Sequence, residues 1–131
     1  MKSLIAEDDF SSRFYIKKLL SAYGQCDVTS DGLEAVMAFK LAFEEKQPYD
    51  VIVLDIMMPN MDGQEALKAI REFEQEQGIS EKDEVKIVMA TALDNPKDVF
   101  EAMYRGRCSS YLVKPFGEKK LHELMVELRL I

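Results

Sequence analysis

The chain has 131 residues, 47% of them hydrophobic and 31% charged, an ordinary balance for one folded domain and not for a disordered segment. Its net charge of -7 argues against nucleic acid or an anionic membrane as partner, because most of the surface would repel either. Two cysteines without CxxC spacing, a start too short for a signal h-region and no apolar run of transmembrane length make the cytoplasm the expected location.

In chain order, Leu4-Ile5-Ala6 is a short apolar strand that runs into three successive carboxylates, Glu7, Asp8 and Asp9. Ser11 and Ser12 are the expected caps of the next helix, which carries Phe14, Ile16, Leu19, Leu20 and Tyr23 on apolar faces and stops at Gly24. Cys26 to Thr29 is a weaker strand. Ser30-Asp31-Gly32 is a turn and cap signal, after which Val36, Phe39, Ala42 and Phe43 recur at helical spacing as far as Gln47-Pro48. Val51 to Leu54 is rich in β-branched residues and uninterrupted by polar ones. It therefore reads as a strand buried on both faces, and it ends in a single carboxylate, Asp55.

A loop with Pro59 and Gly63 separates Asp55 from a helix starting at Gln64, in which Leu67, Ile70 and Phe73/Glu74 are in phase. That helix breaks at Gly78, and the charged connection Ser80 to Glu84 is longer than most. Val85 to Ala90 is a fourth strand, ending at Thr91. Asn95-Pro96 starts a helix with Val99, Ala102 and Met103 on one face. Ser110 to Val113 is a fifth strand ending in Lys114-Pro115, an X-Pro bond open to the cis form. The last helix begins near Gly117 and buries Leu121, Leu124, Met125 and Leu128.

Strands alternating with helices in this way predict an α/β domain with a parallel sheet covered on both faces and right-handed crossovers. No repeat or linker divides residues 1–131, so one domain without an output module is expected. In a parallel sheet the C-terminal strand ends share one edge, where open α/β sheets build their sites. Glu7 and Asp8, Asp55, Thr91 and Lys114 all fall there. Taken singly, each has an ordinary reading as a turn, cap or surface residue. Taken together, carboxylates suit a hard cation such as Mg²⁺, while a hydroxyl and an ammonium suit the oxygens of a phosphoryl group. The set describes phosphoryl transfer to a carboxylate.

These residues resemble the receiver domain of bacterial two-component response regulators, with a single-domain chemotaxis regulator as the nearest shape. The resemblance spans nearly the whole chain, through Leu4-Ile5-Ala6-Glu7-Asp8-Asp9, Val53-Leu54-Asp55-Ile56-Met57-Met58-Pro59-Asn60-Met61-Asp62-Gly63, Met89-Ala90-Thr91-Ala92 and Tyr111-Leu112-Val113-Lys114-Pro115-Phe116. It implies a flavodoxin-like, doubly wound (βα)5 fold with strand order 2-1-3-4-5. It also implies that Asp55 accepts a phosphoryl group from a phosphohistidine with Mg²⁺ as cofactor. Asp8 would bind the metal directly, Glu7 through water, and Met57 through its backbone carbonyl, with Asp55 completing the set. Asp8-Asp9 is an alternative acidic pair, although the spacing to Arg13 and Gly24 fits the family better with Glu7-Asp8. Thr91 would be the switch hydroxyl, Lys114 the phosphate-contacting lysine and Tyr111 the aromatic that turns inward.

The resemblance further implies a phosphoacceptor signalling protein, not an enzyme with a separate substrate. Its partners would be a sensor histidine kinase or histidine phosphotransfer protein, and a downstream protein bound on the face of the fourth helix, fifth strand and fifth helix. A phosphorelay intermediate and a receiver cut from a larger protein stay open. A Mg²⁺-dependent aspartyl-phosphate hydrolase would place an acid where Met57 stands. Three features depart from the family: the Ser80–Glu84 connection, a segment from Thr91 to Lys114 about one residue long, and Arg107 in place of a glycine with Gly106 one step early. Water would reach the acyl phosphate past Met57 and Leu93. His122 is expected on the surface, and Met57, Met58 and Met61 are expected to pack rather than to face a partner.

Overall fold

The computed structural model describes residues 1–92 and 96–131, so the expected roles of Leu93 and Asn95 lie outside the described residues. The strands are β1 (Lys2–Ala6), β2 (Gln25–Thr29), β3 (Val51–Asp55), β4 (Lys86–Thr91) and β5 (Ser110–Val113). The helices are α1 (Phe10–Leu20), α2 (Gly32–Glu44), α3 (Gly63–Glu76), α4 (Pro96–Phe100) and α5 (Glu118–Glu127). All strand pairings are parallel, in the order β2-β1-β3-β4-β5. The expected fold class is therefore the observed one. Among the described residues no helix is long and apolar enough to cross a membrane.

Strand side chains alternate between the two faces, and this divides the core in two. Leu4, Ile52, Leu54, Ile87 and Met89 pack toward α2 and α3, joining Val36, Phe39, Leu67 and Ile70. Ile5, Val51, Val53 and Val88 pack on the other side against Ile16, Leu20, Leu121 and Met125 from α1 and α5. The continuous apolar run of β3 follows from this two-sided burial.

Several local expectations change. The cap of α1 is Asp9, whose carboxylate accepts from the Ser12 N–H at 2.8 Å. A cap must precede the first helical residue, and Ser11 and Ser12 already lie inside the first turn. Tyr23 belongs to a separate 3₁₀ turn, and Phe14 is 64% exposed instead of facing the core. The α3 helix starts one residue early, at Gly63, through a capping box in which Asp62 and Glu65 bond each other's backbone N–H. Leu128 caps α5 and is half-buried.

The segment between α4 and β5 is irregular. After α4 the chain widens into a π-helical turn, Glu101–Arg105, which takes one more residue per turn than an α-helix. Arg107 adopts φ 60, the left-handed conformation that a glycine tolerates most easily. Its guanidinium bonds Glu84 at 3.1 Å, so Glu84 is part of an ion pair and not merely part of a solvated loop. His122 is exposed as expected and meets the Tyr23 hydroxyl at 3.1 Å through Nδ1.

Candidate functional site

The ends of β1, β3, β4 and β5 bring Glu7 and Asp8, Asp55, Thr91 and Lys114 to one sheet edge. Ligand oxygens of Glu7, Asp8 and Asp55 all lie within 4.8 Å of one another. Glu7 is 1% exposed, Asp8 is open to solvent, and the Asp55 side chain is 12% exposed. Asp9 is occupied at the start of α1, so the structure groups Glu7-Asp8, not Asp8-Asp9, with Asp55.

The Lys114 ammonium forms an ion pair with Glu7 and reaches Asp55 Oδ2 at 3.6 Å. Lys114 thus meets two of the three carboxylates. Burial pushes the Asp55 carboxyl up to about 7, helped by its hydrogen bond with Glu7 and by that group's charge. Lys114 and the nearby Met57 backbone pull the other way. Burial also pushes Glu7 up, but its bonds with Asp55 and Lys114 outweigh this and hold it below the usual range. The two neighbouring carboxyls are thus pushed in opposite directions, Asp55 up and Glu7 down.

The backbone sets this geometry. The Lys114 N–H donates to the Thr91 carbonyl at 2.7 Å, which ties the end of β5 to the end of β4. The Lys114–Pro115 bond is cis. Arg13 donates to the Glu7 carbonyl at 2.9 Å and so fixes the acidic turn. Gly63 sits so close to β3 that a Cβ there would lie 2.2 Å from the Asp55 carbonyl oxygen. Gly63→Ala is expected to push the Asp55 backbone aside. Thermal melts should show a loss of about 1–3 kcal/mol, and Mg²⁺ titration a weaker site.

Thr91 is buried at the end of β4. Tyr111 is half-buried and packs against the α2–α3 core. Met58 and Met61 pack against that core too, whereas Met57 is 76% exposed beside Asp55 and does not pack as expected. Asp31, expected only as a turn and cap residue, also accepts through Oδ2 from Asn60 Nδ2 at 2.6 Å, one loop away from Asp55, and Asn60 had no expected role of its own. The signal for Asp31 was the Ser30-Asp31-Gly32 cap motif; nothing in the sequence announces its second partner.

Chemically, the site offers a buried carboxylate at a strand end, two more acids suited to a hard divalent cation, and an ammonium placed for an anion. A family model described as the response regulator receiver domain matches residues 3–126. A probable transcriptional regulator, ycf27, of Guillardia theta is 37% identical over 121 residues, covering 92% of this chain and 42% of that protein. The chain thus spans less than half the length of that relative. In the CheX–CheY–BeF3–Mg²⁺ complex from Borrelia burgdorferi, the matching chain is 26% identical with a TM-score of 0.80, over 97% of this chain and 88% of that one. The co-crystal structure of Saccharomyces cerevisiae Ypd1, a histidine phosphotransfer protein, with the receiver domain of its downstream response regulator Ssk1 gives 28% identity. Its TM-score is 0.82, over 98% of this chain and 88% of that one.

Proposed function

Because the chain belongs to the response regulator receiver domain family, we propose that it is a signalling switch of a two-component system that accepts a phosphoryl group on Asp55. The convergence of Glu7, Asp8, Asp55 and Lys114 carries this reading. An Asp55 carboxylate oxygen attacks phosphorus, and the phosphorus–nitrogen bond of a phosphohistidine breaks. The electron pair stays on the imidazole nitrogen. Lys114 then faces the new phosphate oxygens, with Thr91 at the end of β4 as their second donor.

Asp8 and Asp55, with Glu7 through water and the Met57 carbonyl, would hold Mg²⁺. The fit rests on three hard-oxygen acids gathered within 4.8 Å against one ammonium. When bound, Mg²⁺ offsets the repulsion between phosphate and carboxylate. The acid-for-Met57 pattern of an aspartyl-phosphate hydrolase is missing, which favours a phosphoacceptor without a separate hydrolytic substrate. The matching Borrelia burgdorferi complex contains BeF3 and Mg²⁺, and the yeast complex contains a histidine phosphotransfer protein. The phosphodonor is accordingly a histidine kinase or phosphotransfer protein.

Phosphate on Asp55 draws Thr91 toward it, Tyr111 turns inward, and the face of α4, β5 and α5 changes its preferred arrangement. Phe100 and Tyr104, exposed and 4.7 Å apart between ring centroids, lie on the α4 side of that face for a downstream protein.

The raised Asp55 carboxyl gives this reading a pH signature. Asp55 must lose its proton for the metal to bind, so Mg²⁺ affinity should fall as pH drops below about 7. Calorimetric titration in buffers of different ionisation enthalpy should show one proton released per Mg²⁺ at acid pH and none at alkaline pH. Affinity independent of pH across that range would contradict the site.

A further inference from the structure

The loop after Asp55 is anchored at both ends. At its start the Ile56 N–H donates to the Ala90 carbonyl at 3.1 Å, and the Gly63 N–H returns to the Ile56 carbonyl at 2.9 Å. Its far end is tied to the β2–α2 turn. Asn60 Nδ2 donates to Asp31 Oδ2 at 2.6 Å, and the Gly32 N–H donates to the Met61 carbonyl at 2.9 Å. The two segments touch so closely that a Cβ on Gly32 would lie 2.3 Å from that carbonyl oxygen. The other Asp31 oxygen accepts from the Glu34 N–H at 2.8 Å as the N-cap of α2. One buried carboxylate therefore both starts α2 and grips the loop.

Asn60 adopts φ 64, a left-handed conformation that asparagine enters more readily than most residues. Only Met57, Met58 and Pro59 lie between the anchors, and the proline ring fixes its own φ. The Met57 peptide consequently has little freedom.

We propose that Asp31 and Asn60 are positioning residues, whose mutual hydrogen bond fixes how the Met57 peptide faces Asp55 and thereby sets Mg²⁺ affinity. The inference rests on the metal site proposed above. Neither side chain belongs to the acidic trio, so both act through the loop. Groups that orient metal ligands from outside commonly matter tenfold or more in affinity.

A reciprocal exchange tests this. Asp31→Asn presents a single oxygen, which can serve the Glu34 N–H or the Asn60 amide but not both. Asn60→Gly keeps the left-handed backbone and deletes the side chain. The double variant Asp31→Asn with Asn60→Asp restores the bond with donor and acceptor exchanged, and asparagine caps as well as aspartate. The full chain is titrated with Mg²⁺ alone, and amide hydrogen exchange is followed at Met57 and Met58 without metal.

Each single change should weaken Mg²⁺ binding roughly tenfold and speed exchange, while the double variant returns to within about twofold of the parent. Single variants that bind Mg²⁺ like the parent, even with lowered melting temperatures, would make the pair merely structural and overturn the proposal. A double variant as weak as either single would overturn it as well. A parent chain that binds no Mg²⁺ would instead bring down the metal site, and the positioning role with it.

Discussion

Glu74→Ala is expected to cost about 3–5 kcal/mol of stability, lowering the melting temperature by roughly 10–20 °C. Glu74 is 1% exposed in α3, and its two oxygens have separate duties. Oε1 accepts from Arg71 at 2.6 Å and Oε2 from the Val85 N–H at 2.7 Å. Arg71 also donates to the carbonyls of Val85, at 3.0 Å, and Arg107, at 3.1 Å. Burial pushes the Glu74 carboxyl up against the pull of Val85 and Arg71. Alanine would leave the Arg71 charge buried without its carboxylate and the Val85 N–H without an acceptor. Glu74→Gln keeps an acceptor for Val85 and should lose markedly less. Chemical denaturation of both variants checks the order, and an alanine variant within about 1 kcal/mol of the parent would contradict it.

The second large effect is at Asp55. Asp55→Asn should take up no phosphate, since an amide is not a nucleophile toward the phosphohistidine. It should also stabilise the metal-free protein at neutral and higher pH. The carboxyl sits at about 7 in the folded chain, above its unfolded value, so the folded state holds the extra proton between those limits. Stability therefore declines as pH rises through that window, and the penalty is complete above about 7. The asparagine amide donates to Glu7 as the protonated carboxyl does, and it never ionises. The expected gain is about 1–3 kcal/mol at about pH 8, shrinking to nothing near pH 4. Saturating Mg²⁺ should narrow the gap by stabilising only the parent. A variant less stable than the parent in alkaline, metal-free buffer would show that Asp55 is not forced to hold that proton.

The sheet was legible because its signals are redundant. Most strands are apolar runs between polar breaks, β2 being the exception, and parallel topology sends every strand end to the same edge. That is how Glu7, Asp8, Asp55 and Lys114 could be placed together before any coordinates. Helix starts were less legible. Asp9 and Asp62 cap α1 and α3 from one residue before the helix, whereas the sequence pattern points to Ser11, Ser12 and Gln64. The Asp62-x-x-Glu65 spacing was a readable capping box all the same.

Long-range polar pairs were not legible. The Arg71–Glu74 pair looks like any surface i, i+3 pair until Val85 and Arg107 cover it. The Asp31–Asn60 bond joins residues 29 apart through a left-handed turn that no periodicity announces. The surplus residue before β5 was visible as a length. The π-helical turn after α4, the left-handed Arg107 and its bond to Glu84 were not readable from it.

The central claim is that Asp55 takes a phosphoryl group with the help of Mg²⁺. The most direct measurement is intact mass after incubation with acetyl phosphate, with and without Mg²⁺, and with Asp55→Asn alongside. Beryllofluoride binding covers the case of an acyl phosphate that hydrolyses too quickly to weigh. One added phosphate, or a beryllofluoride adduct, that requires both Mg²⁺ and Asp55 is the predicted result. No adduct by either route, or an adduct that persists in Asp55→Asn, would contradict the account.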